Sequence, residues 1–395
     1  MKTRKLCYIG ILLMALMSLV TCRKDAAVPV GIIYNEGAGI DNPSSGEQPT
    51  GSCYILVFAA PSSGGKVSGG GYFNAGESCT VTATANNGYT FTNWTEDDNE
   101  VSTNASYTFT VTDNRTLVAN FVAKPAPTGA AQGLFSISSS KQVYFSKGNL
   151  QYQASTGTWR FAERQYDYIG DDNINISSTY SGWIDLFGWG TSGYNGRNPY
   201  NSWSTETESY GNPNGDLDNT SYDWGHYNAI LNGGNVEGKW RTLNRSEVYY
   251  LFNTRGSAAQ LYSKASVAGI HGLIVLPDNW QLPSGLTFSP KQDGWWTNTY
   301  TEAEWQRMED AGAVFLPAAG GRCFKYYNDS GVLSGGDIRN PGTEGNYWTS
   351  TAEWFEGKPS FAHLFNFKES YYSVSGGNYS VIDWAWSVRL VQDNM

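Results

Sequence analysis

Alternation of polar and apolar residues in the first third of this chain limits most strongly what the chain can fold into. The alternating segments are residues 79–85, 89–94, 107–111 and 117–121. A period of two predicts half-buried β-strands, and the Asn and Gly residues at 86–88 predict a turn between two of them. We therefore expect a small all-β module over residues 51–123. In it we expect a polar loop at 95–99 and a hairpin turn at Asp113 and Asn114.

Three stretches of this module carry a resemblance to a known family. They are residues 69–77 (GGGYFNAGE), 87–94 (NGYTFTNW) and 114–121 (NRTLVANF). They resemble the divergent internalin-type B repeat of bacterial surface proteins. The resemblance implies a spacer or an adhesion module rather than an enzyme. The pattern occurs once, so a long stalk of repeats is not expected.

The N-terminus predicts export and lipid anchoring. Lys2, Arg4 and Lys5 precede an uncharged, mostly apolar run, residues 6–20, which is shorter than the roughly 20 apolar residues of a membrane-spanning helix. The run ends in the residues LVTC, the pattern that signal peptidase II reads before a lipidated cysteine. We expect a signal peptide at 1–21 and a diacylglycerol thioether on Cys22, with added acyl chains giving durable anchoring. An ordinary secretory signal with a chance cysteine is the alternative.

The remaining organisation follows from composition. Residues 22–50 are rich in Gly, Pro, Ser and Asn and predict a flexible stalk. Residues 124–131 (KPAPTGAA) predict a linker, and residues 132–395 a second, larger domain. Loss of three basic residues with the signal makes the net charge of −10 more negative, which disfavours nucleic acid as a partner.

The larger domain has few helical patterns and many short strand patterns, which predicts a loop-rich α+β domain. Helices are predicted at 246–255, with Asn244 or Ser246 as N-cap, and at 301–310, where Thr301 and Glu304 form a capping box. Trp305 and Met308 supply the buried stripe of the second helix. Strands are predicted at 143–145, 313–316, 362–367 and 387–391.

Several islands of the larger domain resemble the C-type-lectin-like fold of the formylglycine-generating (sulfatase-modifying) superfamily. They are residues 240–247 (WRTLNRSE), 315–322 (FLPAAGGR), 347–351 (YWTST) and 387–391 (SVRLV). Residues 145–151, 186–192 and 276–280 are similar to a domain of Bacteroidetes surface lipoproteins related to the Fibrobacter major paralogous domain. Within the islands we expect Trp240, Trp348 and Arg389 to be structural, through packing and guanidinium hydrogen bonds to carbonyls.

The sequence does not support catalysis. The oxidases of the resembled superfamily need a cysteine pair near the C-terminus, and this domain has Cys323 alone. The three histidines stand far apart, and no catalytic or phosphate-binding motif is present. We therefore expect no enzyme activity, no cofactor and no metal. Residues 212–219, with Asp216 and Asp218, offer some of the oxygens that calcium requires, but a solvated polar turn is the preferred interpretation.

The resemblance implies that the last strands and their loops form a ligand face for glycan or protein. Aromatic side chains there give a large contact area at low entropic cost, and Asn side chains give adaptable hydrogen bonds. The predicted ligand-binding residues are Tyr326, Tyr327, Asn328, Trp354, Phe355, His363, Asn366, Lys368, Tyr371, Tyr372, Asn378, Tyr379, Asp383, Trp384 and Trp386. Packing of these aromatics into a core is the alternative. The composition of 371–386 is also compatible with diversification by a retroelement.

Export also permits a disulfide between Cys53 and Cys79, and the sequence leaves their pairing open. The expected function is an adhesin-like lipoprotein of the outer membrane, with cell surface and periplasm as alternatives for the side it faces. A structural envelope protein and a degenerate enzyme on the same fold are the other functional hypotheses.

Overall fold

The computed structural model describes residues 52–394, except residues 87, 176, 201–208 and 324–336. The chain divides into two compact units between Lys124 and Pro125, inside the predicted linker. The structure is mostly β-strand, loop-rich and poor in helix, with an all-β module at its N-terminal side, as the sequence predicted. Within the described residues, no helix is both long and apolar enough to cross a membrane.

The first unit consists of strands. They are β1 (Ser52–Ala60), β2 (Gly65–Ser68), β3 (Gly71–Asn74), β4 (Ser78–Ala85), β5 (Tyr89–Glu96), β6 (Asn99–Ser102), β7 (Ser106–Thr110) and β8 (Arg115–Ala123). They form one sheet in the order β3-β1-β8-β5-β6 and a second in the order β2-β4-β7. Apolar side chains from both sheets share one core, with Val57, Val81, Trp94 and Leu117 fully buried. The period-two pattern arises because each strand turns one face to this core.

Two turns of the module differ from their predictions. Asp113 and Asn114 do not join a hairpin, because β7 and β8 belong to different sheets. The segment crosses between the sheets, and the Asn114 Oδ1 accepts a hydrogen bond of 2.9 Å from the backbone N–H of Tyr54. The predicted loop at 95–99 is a tight hairpin instead, with Asp97 and Asp98 both at positive φ.

The structure shows that Cys79 is not part of a disulfide. This residue is a free, buried cysteine, and its thiol lies 3.4 Å from the carbonyl oxygen of Gly69. A Cys53–Cys79 bridge is therefore not formed. The two residues belong to strands of different sheets. Both side chains contribute apolar volume to the module core.

The second unit has sixteen described strands and three short α-helices. The strands are β9 (Phe135–Ser136), β10 (Gln142–Phe145), β11 (Leu150–Gln153), β12 (Thr158–Phe161), β13 (Phe187–Gly188), β14 (Tyr262–Val267), β15 (Ile270–Val275), β16 (Thr299–Tyr300), β17 (Val314–Pro317), β18 (Gly321–Cys323), β19 (Asp337–Arg339), β20 (Glu344–Phe355), β21 (Lys358–Lys368), β22 (Tyr371–Val381), β23 (Ala385–Trp386) and β24 (Val391–Asp393). The helices are α1 (Trp224–Tyr227), α2 (Arg245–Tyr249) and α3 (Glu302–Asp310).

The strands of the second unit form several small sheets around separate apolar clusters. Two sheets of four strands have the orders β13-β23-β18-β19 and β16-β14-β15-β17, and β20-β21-β22 form a third, longer-stranded sheet. β24-β10-β9 and the pair β11-β12 complete the arrangement. The two largest clusters are rich in aromatic residues, which fill space efficiently where strands are short.

Both predicted helices are confirmed. α2 begins after the N-cap Asn244, with Glu247 completing a capping box, and continues as a π-turn over Tyr250–Thr254. α3 has the predicted capping box between Thr301 and Glu304. Trp305 and Met308 are its buried residues, also as predicted.

The predicted strand at 387–391 is wrong. These five residues are all buried and contain only an isolated bridge before β24 begins. The backbone of this C-terminal segment bonds in turn to different partners: Ser387 to Asn346 and Trp348, and Leu390 to Ser146. A segment that is buried on every side and shared between neighbours cannot form one regular ladder.

The predicted linker is only partly a linker. Residues 129–131 are hydrogen-bonded into the second unit, where Gly129 O accepts from Lys147 N and Ala131 N donates to Phe145 O. Gly129 has a φ of 83° and lies against the backbone at Asn232, where a Cβ would approach within 2.6 Å. The last three residues of the KPAPTGAA stretch, 129–131, therefore belong to the fold of the second unit.

The three residues expected to be structural are buried. The Trp240 Nε1 donates to the Gly233 carbonyl and the Trp348 Nε1 to the Phe187 carbonyl, each at 2.8 Å. Arg389 differs in its partners: its guanidinium donates to the side-chain oxygens of Asn149 and Gln165, at 3.3 and 2.8 Å.

The hairpin of β14 and β15 offers a test of backbone strain. Its two-residue turn is Ala268–Gly269, with φ values of 50° and 83°, the type I′ geometry in which Asn is preferred at the first position. A left-handed backbone costs alanine roughly 1 kcal/mol. We expect Ala268→Asn to raise the free energy of unfolding by about 1 kcal/mol, measured by urea denaturation. Ala303→Asn, on the exposed face of α3, is the control and should lower it slightly. Equal effects would contradict the assignment of strain to Ala268.

Candidate functional site

The sheet of β20, β21 and β22 carries most of the predicted ligand residues. Its three antiparallel strands have 12, 11 and 11 residues, the longest in the described chain. On β21, Ala362 and Leu364 turn to one apolar cluster, whereas Phe365 and Phe367 turn to another, which includes side chains of α2. This part of the sheet is therefore buried on both faces.

Toward the turn between β20 and β21, the second face of the sheet becomes exposed. The register places Glu353 and Val381 beside Phe361, and Tyr379 beside His363. Side chains of Phe361 and His363 point to the same face as Phe365, because they are an even number of residues away.

Three aromatic side chains form what we call the tip patch: Phe355, Phe361 and Tyr379. Trp354, Phe355 and Tyr379 are 49%, 56% and 59% exposed. The ring of Phe361 lies 6.3 Å from that of Phe355 and 5.5 Å from that of Tyr379, between ring centres, both edge-to-face. Trp354 lies on the opposite face of the hairpin. Clustered exposed rings of this kind are characteristic of contact surfaces.

A polar pair lies at the buried side of the tip patch. The His363 Nε2 is 2.8 Å from the Glu353 Oε2, and the His363 side chain is almost fully buried while Glu353 is half-exposed. The ring of His363 also packs edge-on against Tyr379, 6.2 Å between centres. His363 therefore supports the Tyr379 ring from the buried side, and Glu353 adds one half-exposed carboxylate to the patch.

Besides the buried His363, three more predicted ligand residues face the interior: Asn366 and Trp386 are buried and Tyr372 is partly buried. The Tyr372 hydroxyl contacts the Gln292 carbonyl and accepts a bond of 3.2 Å from Lys264 N, and burial raises the pKa of Tyr372 to about 12. Trp386 is buried against Gly321, where a Cβ would overlap its ring. Their burial narrows the predicted ligand face.

The predicted residues at the other end of the sheet interact with one another. Asn366 donates to the Tyr371 hydroxyl at 2.8 Å and accepts from the Asn378 Nδ2 at 2.9 Å. The Lys368 Nζ lies 4.6 Å from the ring centre of Tyr371. Mutual bonds of this kind fix the strands and leave these side chains only partly accessible.

Asp383 and Trp384 lie in the turn after β22. The Trp384 ring is half-buried and packs 5.6 Å from that of Trp386. Burial raises the pKa of Asp383 to about 6, and its Oδ1 accepts no hydrogen bond from the described residues.

The segment considered for calcium is tied to the sheet. The Asp216 Oδ1 accepts from Ala352 N at 2.8 Å, and the Asp218 carboxylate contacts the Ser350 hydroxyl and the Asn244 Nδ2. These bonds use three of the four carboxylate oxygens of Asp216 and Asp218, and they anchor the segment to β20 and to the N-cap of α2. The described residues contain no group of three or more metal-ligating side chains.

Four predicted site residues, Cys22, Tyr326, Tyr327 and Asn328, lie outside the described residues. Sequence reasoning missed two members of the exposed end, Phe361 and Glu353. One signal could have found Phe361. Residues 361, 363, 365 and 367 alternate along one strand, so their side chains lie on the same face, that of His363.

Comparison with known proteins supports the first unit. Residues 55–125 match the family described as the divergent InlB B-repeat domain. This confirms the resemblance stated for the module, which makes up less than a fifth of the chain. No curated protein and no solved structure matches the chain.

The raised pKa of Asp383 predicts a pH-dependent stability. An unfolded aspartate has a pKa near 3.9, so the folded state prefers the protonated carboxyl. Its contribution is fully present below pH ~4 and is lost as the pH rises through about 6. Asp383→Asn should therefore raise the free energy of unfolding at pH 8 by about 1 kcal/mol, after discounting for solvent screening.

The measurement is urea denaturation of both proteins at pH 8 and at pH 4, where most of the gain should disappear. Asp310→Asn, at the exposed end of α3, makes the same charge change and should show no such difference between the two pH values. Destabilisation by Asp383→Asn at pH 8 would contradict the assignment.

Proposed function

We propose that the chain is an outer-membrane lipoprotein, anchored through Cys22, that presents a non-catalytic binding domain at the cell surface. The tip patch is the observation that carries this proposal. Aromatic rings that are about half exposed on a strand pair stabilise the fold less than buried rings do, and they supply the apolar area on which binding hot spots depend.

The placement of the tip patch favours a broad partner. Small-molecule sites are concave and enclose the ligand, whereas these rings stand at the turn of a hairpin with more than half of Phe355 and Tyr379 exposed. A protein surface or an extended glycan chain, laid across Phe355, Phe361 and Tyr379, suits this geometry. The Glu353 carboxylate beside the rings provides a hydrogen-bond acceptor for either.

The finer relationship of the second unit is part of the same proposal. We assign it to the C-type-lectin-like domains of Bacteroidetes surface lipoproteins on the strength of its sequence islands. The buried Trp240 and Trp348, each bonded to a backbone carbonyl outside its own island, support a role for two of these islands as scaffold. The preceding InlB-type module suits a spacer between the anchor and the binding domain.

The anchoring part of the proposal is tested by Cys22→Ser. We expect the native chain to incorporate radiolabelled palmitate and to sediment with membranes, because two or three acyl chains give durable attachment. The Cys22→Ser variant should do neither. The control is Cys79→Ser, which removes the free cysteine of the module and should retain the label. Labelled, membrane-bound Cys22→Ser protein would contradict lipidation at this residue.

The binding part is tested on arrays of glycans and cell-surface proteins, with the unlipidated Cys22→Ser chain without its signal. The triple variant Trp354→Ser, Phe355→Ser, Tyr379→Ser should bind at least about 10-fold more weakly than the parent, since each ring is a candidate hot spot worth about 1 kcal/mol or more. Its thermal midpoint should stay close to that of the parent, because the rings are exposed.

Trp296→Ser is the matched control for this triple variant. Trp296 is 68% exposed but belongs to another part of the domain. Its replacement should leave array binding unchanged. Equal binding by the triple variant and the parent, or absence of any ligand for the parent, would contradict the proposed role of the tip patch.

A further inference from the structure

A second surface feature of the second unit is a cleft of about 510 Å³, within the size range of small-molecule sites. It lies between the loop that follows β12, the turn that joins β14 to β15, and the first turn of α3. Its lining includes Arg164, Tyr166, Asp167, Tyr168, Ile270 and Glu302. None of these residues belongs to the tip patch.

The polar wall of the cleft is prearranged. The Arg164 Nε lies 3.0 Å from the Asp167 Oδ1, and its Nη1 lies 3.5 Å from the Glu302 Oε1. The Tyr166 hydroxyl donates to the same Glu302 oxygen at 2.8 Å. Planar carboxylate and guanidinium groups are thus held side by side, and the described residues donate no hydrogen bond to the Glu302 Oε2.

The other wall is apolar and small. Ile270 and the methyl group of Ala268 line it, and the half-buried Tyr168 ring adds an aromatic face. Ala268 holds a left-handed backbone with a φ of 50°, a conformation that the turn would reach at lower cost with Asn or Gly. Strain of this kind clusters at ligand sites.

We propose that this cleft binds a neutral saccharide ring. A sugar ring has apolar C–H faces, which suit Tyr168 and Ile270, and adjacent hydroxyls, which donate to carboxylates and accept from a guanidinium at the same time. Anionic ligands fit poorly, because the single arginine already faces two carboxylates. The site is separate from the tip patch, so the fates of the two proposals are independent.

The test uses the unlipidated Cys22→Ser chain and a panel of glucose, galactose, mannose, N-acetylglucosamine and their disaccharides. Saturation-transfer NMR and calorimetry should find at least one that binds saturably, with a Kd below about 10 mM. Glu302→Gln should weaken binding about 10-fold by removing a charged acceptor. Tyr168→Ala should weaken it at least as much through loss of the ring face.

Glu163→Gln is the matched control, because Glu163 is also an exposed glutamate with an arginine nitrogen at 3.5 Å, that of Arg160. It should bind as the parent does, and so should the triple tip variant. The proposal is overturned if no sugar of the panel binds, or if Glu302→Gln and Glu163→Gln bind alike. Binding of spermidine in place of sugars would also overturn it, since it would identify a site for organic cations. Thermal midpoints of all variants confirm that each is folded.

Discussion

The buried guanidinium of Arg389 is the interaction on which much of the second unit depends. A charge in an apolar interior costs several kcal/mol unless it is held by hydrogen bonds. Asn149 and Gln165 supply them, and Gln165 in turn bonds to Ala313 and Phe315 on the way into β17. Burial lowers the pKa of Arg389 to about 10, so the group stays charged at neutral pH. One side chain near the C-terminus thereby ties three distant stretches of chain together.

This arrangement explains how many small sheets, packed around separate apolar clusters, hold together as one unit. The segment around Arg389 bonds to residues 146–150 on one side and to residues 346–348 on the other. The pair β11-β12 and the sheets whose strands have only two to four residues are too small to be stable alone. Their stability comes from the shared C-terminal segment and from the aromatic clusters on either side of it.

Local signals predicted the local structure well. The capping box at Thr301, the N-cap at Asn244 and the alternating strands of the module formed as expected, because caps and period-two patterns act over a few residues. The larger errors are long-range. The crossover at Asp113 and the shared segment at 387–391 depend on which strands become neighbours, and a sequence pattern does not contain that information. The same limit applies to the candidate site. Tyr372 and Tyr379 lie on one strand, but the Tyr372 hydroxyl contacts an interior carbonyl whereas the Tyr379 ring is exposed. The sequence pattern does not distinguish them.

The exposed end of β20 and β21 lies past the last residues that the core needs, and its turn is Glu356–Gly357, with φ values of 49° and 80°. Residues there can be exchanged, and the hairpin can be lengthened or shortened by residue pairs, without opening a cavity below. Mutations at this end that change the binding surface therefore have little effect on the stability of the fold. Under the proposed binding role, related chains are free to diverge in what they recognise while they keep the same interior.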